Sequence, residues 1–502
     1  MFSEIVKKII STSVYEVAKE SPLDTMSILS AKTGNTILVK REDQQEVFSF
    51  KLRGAYQKIH SLKKEELSRG VIAASAGNHA QGVALAAAHL KCSATIVMPK
   101  PTATIKVDNV RRLGADVITY GDNFDEACAY ALDLAAEKGL SFIHPYDDPD
   151  VIAGQGTIAM ELLRQNPEEL DAVFIPVGGG GLISGMASYI KTFRPEVKVF
   201  AVEPEGSACC KAAMEAGSRV TLDKVDLFAE GVAVKQLGAL PFEILKGTLD
   251  GCITVSPEEM CAAIRDIYND TRAISETSGA VGLAGIKKYI RENNVKGKVF
   301  ATVLSGANIN FERLRVVSQL AEMAEGEILF AAKLKEQPGS FRAFAAAIDG
   351  HDVTEFNYRH ADDKKAYVFV GIRLAPGQKR EELYAKLNGL GYEIADMTGN
   401  LLAMTHVRYM VGGHANLKGE ETLFQFEFPE RAGTLKTFLD ALGSRWDITM
   451  FHYRNLGASI GRIFIALMVP PEEKQLLDDV LKGLGYPYSV EKNNPAYEYF
   501  LR

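Results

Sequence analysis

A lysine in the segment SFKLRGA (49–55) is the first residue whose position suggests chemistry. Lys51 follows Phe50 at the end of an extended run and opens a helix-like segment. A lysine in such a position could be catalytic. Most lysines are instead solvated at the surface, so this position alone does not decide between the two interpretations. The motifs further along the chain favour catalysis.

A run of four glycines follows the strand-like segment AVFIPV (172–177) and leads through Leu182 into a helix. Without Cβ atoms, the backbone amides can approach an anion closely, and the helix N-terminus adds partial positive charge. No Gly-Lys-Ser/Thr follows, and G-x-G-x-x-G does not fit, so the pattern predicts a cradle for a monophosphate. A flexible turn would explain one or two glycines but not four. The four are Gly178, Gly179, Gly180 and Gly181.

Two further loops follow strand-like runs and carry small polar residues. The segment AASAGNHAQG (73–82) places free backbone amides at a helix start, where a carboxylate can bind, although a simple helix cap is an equal alternative. In VLSGANIN (303–310), Ser305 ends a buried strand, and by itself it could be a capping serine. The residues of interest in the first loop are Ser75, Ala76, Gly77, Asn78 and His79.

The four motifs lie in a region, about 36–325, where short β-branched runs alternate with longer helix-like stretches such as 125–139. Continuous apolar runs are typical of strands buried on both faces, which favours a mostly parallel, open α/β sheet. Glycine-rich loops after such strands are where these sheets bind ligands. The predicted strands are 36–40, 70–75, 94–99, 116–120, 172–177, 198–203 and 298–305.

Taken together, the motifs resemble those of the fold-type II pyridoxal-phosphate enzymes over about residues 14–320, and most closely those of the threonine dehydratases. In that family's order, the segments are KREDxQxxxSFKLRGA, ASAGNHAQGVA, HPYDD, GGGGLxSG and LSGAN. The resemblance implies a catalytic region over residues 1–325 with a tryptophan synthase β-like fold in two subdomains. It also implies pyridoxal 5'-phosphate as cofactor.

The resemblance implies a role for each motif residue. Lys51 would hold the cofactor as a Schiff base and later take the substrate's α-proton. Phe50 would pack against the cofactor ring, and Asn78 would bond its phenolic oxygen. Residues 178–182 would hold the phosphate. Ser305 would meet the pyridine nitrogen, and a serine there favours elimination of the β-hydroxyl because it weakens the electron sink.

Departures from the family's pattern refine this interpretation. Ala76 replaces the second-face serine base of related racemases, which favours dehydration. Where the family usually has Glu-Pro near the site, this chain has Glu276-Thr277, so the resemblance assigns the family's glutamate role to Glu276 less firmly than it assigns the other roles. Glu203 matches a cation ligand of some relatives, but Cys209 replaces the expected acidic partner, so we predict no metal site. The residues expected to bind substrate are Ser75, Ala76, Gly77 and His79.

An internal repeat follows the catalytic region. The stretch 339–359 resembles 433–454, with an offset of 94 at its start and 95 at its end. Each copy has a turn, an amphipathic helix and an alternating strand that ends in Tyr-Arg. The pattern predicts two α+β ferredoxin-like modules of the split βαβ type, over residues 326–420 and 421–502. Their other elements are expected at 328–334, 366–374, 380–391, 423–428 and 462–469.

The two modules resemble the ACT-like regulatory domains of biosynthetic threonine dehydratases. The resemblance implies feedback inhibition by isoleucine, antagonism by valine and a homotetramer. Tyr358 and Tyr453 occupy matching positions of the repeat and are the candidate effector contacts. The alternative is that both are core aromatics of an alternating strand.

Composition excludes several other classes. The net charge of −7 leaves no basic stripe for nucleic acid, and no apolar run approaches a membrane span. The six cysteines form neither a CxxC pair nor a Cys/His cluster. The N-terminus reads as an amphipathic helix rather than a targeting peptide, which favours a cytoplasmic protein.

The expected activity is conversion of L-threonine to 2-oxobutanoate and ammonia, the committed step of isoleucine biosynthesis. L-Serine is expected as a second substrate. It lacks one methyl group of threonine, and such a group contributes only ~1–3 kcal/mol of binding energy in an apolar pocket. One alternative is a serine dehydratase or another β-eliminating or β-replacing enzyme of the same fold. A second alternative, from a different class, is a catalytically inactive amino-acid sensor.

Overall fold

A computed structural model of the 502-residue chain divides into two compact units, Met1–Ala324 and Glu325–Arg502. Among the helices of the described chain, none is both long and apolar enough to cross a membrane. The described residues are 2–100, 102–311, 313–324, 326–335, 339–359, 365–375, 378–398, 421–429, 434–443, 445–454 and 460–491.

The first unit contains two parallel sheets that are surrounded by helices. The strands are β1 (Leu23–Thr25), β2 (Thr36–Arg41), β3 (Val71–Ala74), β4 (Ala94–Met98), β5 (Asp116–Thr119), β6 (Ser141–Phe142), β7 (Ala172–Pro176), β8 (Lys198–Pro204), β9 (Gly251–Val255) and β10 (Val299–Leu304). The larger sheet has the order β1-β2-β10-β7-β8-β9 and is parallel except at β1, and the smaller has the order β5-β4-β3-β6.

The helices of the first unit follow most of these strands in the alternating manner that the sequence predicts. They are α1 (Phe2–Ile10), α2 (Ser27–Thr33), α3 (Lys51–His60), α4 (Lys64–Arg69), α5 (Asn78–His89), α6 (Thr104–Arg112), α7 (Phe124–Lys138), α8 (Pro149–Gln165), α9 (Gly181–Phe193), α10 (Cys209–Ala216), α11 (Ala239–Leu245), α12 (Pro257–Thr271), α13 (Val281–Asn293) and α14 (Arg313–Ala324).

The seven strands predicted for this region are all present, and each end lies within one residue of its predicted position. The central strands β7 and β10 are almost entirely buried, as expected for a sheet covered on both faces. Three strands have no counterpart in the prediction: β1, β6 and β9. Each lies at the edge of its sheet, is short, and is only partly buried, so its sequence lacks a continuous apolar run.

The second unit contains two βαββαβ modules, which confirms the predicted α+β arrangement. The first comprises β11 (Glu327–Lys335), α15 (Ser340–Ala347), β12 (Asp352–Arg359), β13 (Lys365–Arg373), α16 (Arg380–Gly389) and β14 (Glu393–Asp396). The second comprises β15 (Glu421–Pro429), α17 (Thr434–Leu442), β16 (Asp447–Arg454), β17 (Ile460–Met468), α18 (Lys474–Leu484) and β18 (Tyr488–Glu491). Gly433, the repeat's counterpart of Gly339, lies outside the described residues.

The two modules join into one antiparallel sheet of eight strands, in the order β14-β11-β13-β12-β16-β17-β15-β18. They meet at β12 and β16, where Asn357 lies opposite His452. These two residues occupy equivalent positions of the repeat, so a pseudo-twofold axis passes between them. Tyr358 therefore lies opposite Phe451, and its repeat equivalent Tyr453 lies opposite Phe356. All four of these rings belong to the same buried apolar core.

Candidate active site

The lysine motif and the serine motif are held side by side by backbone hydrogen bonds. The Phe50 N–H donates to the Ser305 carbonyl at 3.2 Å, and the Ala307 N–H donates to the Phe48 carbonyl at 2.9 Å. Between them, the backbone of Ser49 forms an isolated bridge with Gly306. Phe48 has φ +54°, an uncommon conformation for a bulky residue and one that is often found at functional sites. The start of α3 is thus fixed against the end of β10.

Lys51 is the first residue of α3. Its Nζ donates to the carbonyl of Pro145 at 2.9 Å and lies 5.3 Å from the centroid of the Phe50 ring. Burial lowers the pKa of Lys51 to about 8, although the carboxylate of Glu276 opposes this effect. More of the amine is therefore uncharged near neutral pH than in an ordinary lysine, and the uncharged amine is the form that attacks a carbonyl carbon.

The α3 segment behind Lys51 is anchored by a buried network of ion pairs. Arg53 contacts Glu161 at 2.6 Å and Glu42 at 2.8 Å, and Lys40 contacts Glu161 at 2.6 Å. All four side chains have 0% exposure, so each charge depends on its partners for stabilisation. Burial would raise the pKa of Glu161, but the Arg53 and Lys40 charges outweigh it and lower that pKa. The network joins α3 to β2 and α8.

The four-glycine loop joins β7 to α9 and is packed too tightly for side chains. A Cβ on Gly179 would lie 2.3 Å from ring carbons of Tyr146, and one on Gly178 would lie 2.9 Å from the backbone of Val232. Gly180 has φ +93°, which favours glycine. The loop's amides lie at the N-terminus of α9, the arrangement that binds phosphate groups. Leu182, in the first turn of α9, is buried.

Asn78 opens α5, and hydrogen bonds at both ends hold its side chain. Its Nδ2 donates to Oε1 of Glu276 at 2.6 Å, and its Oδ1 accepts from Nδ2 of Asn308 at 2.7 Å. Ser278 also donates to Oε1 of Glu276, at 2.8 Å. Burial raises the pKa of Glu276 above its ordinary range, whereas the bonds from Ser278 and Asn78 act in the opposite direction. Asn78, Glu276 and Ser305 thus belong to one cluster around Gly306.

The loop expected to bind substrate lies between β3 and α5. Its Ser75 Oγ accepts the N–H of Gly77 at 3.2 Å, and Ala76 is partly exposed. A Cβ at Gly77 would meet no atom within 4 Å, so open space adjoins this position. His79 is buried, and its Nε2 lies 2.8 Å from the Ile143 carbonyl. Burial lowers its pKa to about 3, so the imidazole is neutral and Nε2 is the donor in that bond.

Glu203 lies at the end of β8 and caps α10. Its carboxylate accepts the N–H of Cys210 at 2.7 Å and that of Lys211 at 2.8 Å. Burial raises the pKa of Glu203 to about 7 despite these bonds. Within the described chain, no group of three His, Cys, Asp or Glu side chains is placed to hold a metal ion. That this chain needs no metal at Glu203 stays a prediction.

Two contributors to the site had no role in the sequence analysis. Tyr146 lies in the HPYDD segment and shapes the glycine loop, and Asn308 lies in the LSGAN segment and bonds Asn78. Both segments carried the family resemblance, which was the only available signal. The Asn308–Asn78 bond spans 230 positions of the chain, and local patterning does not report contacts at that distance.

The side chains at this site match the needs of pyridoxal phosphate. Lys51 offers an amine of lowered pKa, and the loop at residues 178–181 offers a cradle that any side chain would fill. The hydroxyl of Ser305 is buried, and its one recorded hydrogen bond within the described residues is a long contact of 3.5 Å to the Ser278 carbonyl. These groups fit an aldehyde, a phosphate and a ring nitrogen respectively.

Comparison with known proteins agrees with this chemistry. A family model described as "Pyridoxal-phosphate dependent enzyme" matches residues 15–306, and "C-terminal regulatory domain of Threonine dehydratase" matches 319–407 and 412–501. The L-threonine dehydratase biosynthetic IlvA of Pasteurella multocida (strain Pm70) is 48% identical over 501 residues, or 99% of this chain and 98% of the relative. Its counterpart in Escherichia coli (strain K12) is 49% identical over 501 residues, or 99% and 97%.

Among solved structures, the processed form of threonine deaminase isoform 2 from Solanum lycopersicum is 48% identical to this chain. The match covers 64% of this chain and 93% of that one, with a TM-score of 0.63. The fold and the site therefore define a pyridoxal-phosphate-dependent lyase with a fold-type II catalytic region. The chain belongs to the threonine dehydratase family and resembles its biosynthetic members over nearly its whole length. This assignment decides against the inactive sensor.

A recess in the second unit lies where the two modules meet, beside Tyr358. The recess is open to solvent. Tyr358 packs with its ring centroid 5.2 Å from that of Phe341, and Trp446 contributes from the second module. Tyr453 is buried in the same apolar core but does not line this recess. The lining residues are Leu334, Lys335, Gly339, Ser340, Phe341, Arg342, Tyr358, Ala366, Leu439, Gly443, Trp446, Asp447 and Ile448.

Proposed function

We propose that residues 1–325 catalyse the dehydration and deamination of L-threonine, and that the modules at 326–420 and 421–502 regulate it in response to isoleucine. The catalytic assignment rests chiefly on Lys51, whose amine has a pKa of about 8 and lies at the start of α3 beside Phe50. Lys51 would hold the cofactor covalently, and its free amine would take the proton from the substrate's Cα.

When bound, pyridoxal phosphate supplies an electron sink for the bond cleavage at the substrate's Cα. Phe50 would cover one face of its ring, and Asn78 would donate to its phenolic oxygen. Residues 178–182 would hold its phosphate. Ser305 would offer a neutral hydroxyl to its ring nitrogen, which would favour loss of the β-hydroxyl.

The substrate carboxylate binds at the N-terminus of α5. Ser75, Ala76 and Gly77 lie directly before that helix, and the partial positive charge of a helix N-terminus favours an anion. His79 contributes through its backbone amide, because its imidazole is engaged with the Ile143 carbonyl. The open space beside Gly77 leaves room for the substrate. Serine differs from threonine by one methyl group, so we expect both to react.

Isoleucine occupies the recess beside Tyr358, and valine competes for it. The recess combines apolar walls with the N-terminus of α15 and with charged residues of both signs, as an aliphatic amino acid requires. Lys335 and Arg342 suit the carboxylate, and Asp447 suits the ammonium group. Tyr453 is the pseudosymmetric partner of Tyr358, and we propose it as the second effector contact. A homotetramer and a cytoplasmic location remain predictions.

Two linked measurements test this proposal. The first follows 2-oxobutanoate production from L-threonine across an isoleucine titration, and we expect turnover to fall as isoleucine rises. The second follows the fluorescence of Trp446, the single tryptophan of the chain, over the same titration. If neither turnover nor fluorescence changes with isoleucine, the proposed regulation is contradicted. Absence of turnover in cofactor-loaded protein would remove the catalytic half.

A further inference from the structure

A chain of hydrogen bonds runs from a backbone carbonyl to the proposed cofactor contact. Asn308 Nδ2 donates to the Val47 carbonyl at 2.9 Å and to Oδ1 of Asn78 at 2.7 Å. Asn78 Nδ2 then donates to Oε1 of Glu276 at 2.6 Å, which also accepts from Ser278 at 2.8 Å. The chain therefore has an acceptor at each end and two amide groups between.

This arrangement fixes the orientation of both amides. The Val47 carbonyl can only accept, so the NH2 group of Asn308 must face it, and its second N–H points at Asn78. Asn78 must then present its oxygen to Asn308 and its NH2 group to Glu276. Turning Asn78 over would place its oxygen against the Glu276 carboxylate and its NH2 group against that of Asn308. Both contacts are repulsive.

The packing around Gly306 supports the same conclusion. A Cβ at this position would lie 2.6 Å from Oε1 of Glu276 and 3.1 Å from Nδ2 of Asn78. The absence of a side chain at Gly306 therefore allows the amide and the carboxylate to approach the end of β10. Asn78 Nδ2 carries two hydrogens, and Glu276 takes one of them, so one N–H is left to donate into the site.

We propose that Asn308 is a positioning residue, which acts through Asn78 to keep an N–H donor directed at the cofactor's phenolic oxygen. The inference rests on the proposed contact between Asn78 and that oxygen. A donor there would stabilise the negatively charged phenolic oxygen. The proton that this oxygen shares with the imine nitrogen of the lysine-bound cofactor would then stay on the imine nitrogen. That form absorbs visible light, whereas the form with the proton on oxygen absorbs in the near ultraviolet.

The test compares the absorption spectra of purified, cofactor-loaded variants. In Asn308→Asp the donor becomes an acceptor, which turns Asn78 over, and Asn308→Ala removes the constraint without adding charge. We expect the ratio of visible to near-ultraviolet absorption to fall roughly tenfold in Asn308→Asp, as for the loss of one hydrogen bond to a charged group. A smaller fall is expected in Asn308→Ala. If Asn308→Asp does not fold, as judged by circular dichroism, the alanine variant decides.

Asn310→Asp is the matched control, since it makes the same chemical change two positions along the loop. Within the described residues, the structure records no hydrogen bond from its side chain, so we expect an unchanged ratio. An equal fall in this control, or a wild-type ratio in both Asn308 variants, would overturn the inference. Asn78→Ala distinguishes the proposed contact of Asn78 with the cofactor from the proposed positioning role of Asn308. A wild-type ratio in that variant would refute the proposed Asn78 contact, whereas a fall in Asn78→Ala alone would refute only the role of Asn308.

Discussion

The ring of Tyr146 fills the space that a Cβ atom on Gly179 would need, with ring carbons 2.3 Å from that position. Real Cβ atoms do not approach other atoms so closely, and the loop is also held through Val232. The glycine run therefore belongs to a packed cradle and is not a flexible turn. The tyrosine and the glycine loop come from different motifs, and both shape the proposed phosphate site.

Substitution of Gly179 by alanine tests this cradle. We expect Gly179→Ala to weaken cofactor binding by about fivefold to a hundredfold, because the Tyr146 ring must move, and an overpacked site costs about 1–3 kcal/mol. Titration of the apoprotein with pyridoxal phosphate, followed by visible absorption, measures the effect. Gly389→Ala is the control, because a Cβ there meets nothing within 4 Å. Equal affinity in the two variants would show that the loop does not bind the phosphate.

The lowered pKa of Lys51 predicts a pH dependence for cofactor attachment. The uncharged amine is the reactive form, and it becomes the major form above a pH of about 8. The rate at which the visible band appears after mixing should therefore rise with pH and level off above a pH of about 8. For an exposed lysine, the same rate would level off only above a pH of about 10.4. Stopped-flow mixing of apoprotein and cofactor measures it. A midpoint near that of free lysine would contradict the burial argument.

Glu276 raises the pKa of Lys51, so its removal should shift the same profile. In Glu276→Gln the negative charge is lost while a hydrogen-bonding oxygen remains. We expect the midpoint of the rate profile to move to lower pH, because only the lowering effect of burial remains. Glu258→Gln, in the first turn of α12, serves as the charge-matched control. A midpoint that moves upward in Glu276→Gln would contradict the predicted sign.

The buried ion pairs around Arg53 predict a large effect on stability. Arg53→Met leaves the carboxylates of Glu42 and Glu161 without their main partner, and loss of one member of a buried pair costs about 3–5 kcal/mol. A marked fall in the denaturant midpoint of the first unit, followed by circular dichroism, is the expected result. Arg291→Ala breaks a pair with Glu259 in which the arginine side chain is 63% exposed, and it should change stability by less than about 0.5 kcal/mol. Equal midpoints would show that the network contributes little.

Tyr358 and Tyr453 predict distinct outcomes for regulation. Tyr358 lines the recess and Tyr453 does not. We therefore expect Tyr358→Ala to weaken the isoleucine response of both turnover and Trp446 fluorescence by tenfold or more. This is the effect of losing a buried aromatic contact worth about 1.4 kcal/mol or above. Tyr453→Ala should weaken inhibition with a smaller fluorescence change. Tyr367→Ala, 63% exposed on β13, is the control. Normal inhibition in both Tyr358→Ala and Tyr453→Ala would identify the two residues as core aromatics only.

Much of the fold could be predicted because its signals are local. The apolar runs of β7 and β10 are continuous, and the helix predicted at 125–139 begins and ends within one residue of α7. The repeat predicted both βαββαβ modules, since each copy carries the same order of elements. The edge strands β1, β6 and β9 escaped prediction because a half-exposed strand of two to five residues has no continuous apolar pattern.

By itself, the sequence determined the types of the chemical groups and the elements that carry them: the lysine at a helix start, the glycine run after a strand, and the paired modules. Only the tertiary structure decided which of these groups meet. It brought Asn308 to Asn78, Tyr146 to Gly179 and β12 to β16. The physical reason is that hydrophobic periodicity indicates the type of an element and which of its faces is buried. Contacts between distant segments depend instead on which strands become neighbours in a sheet.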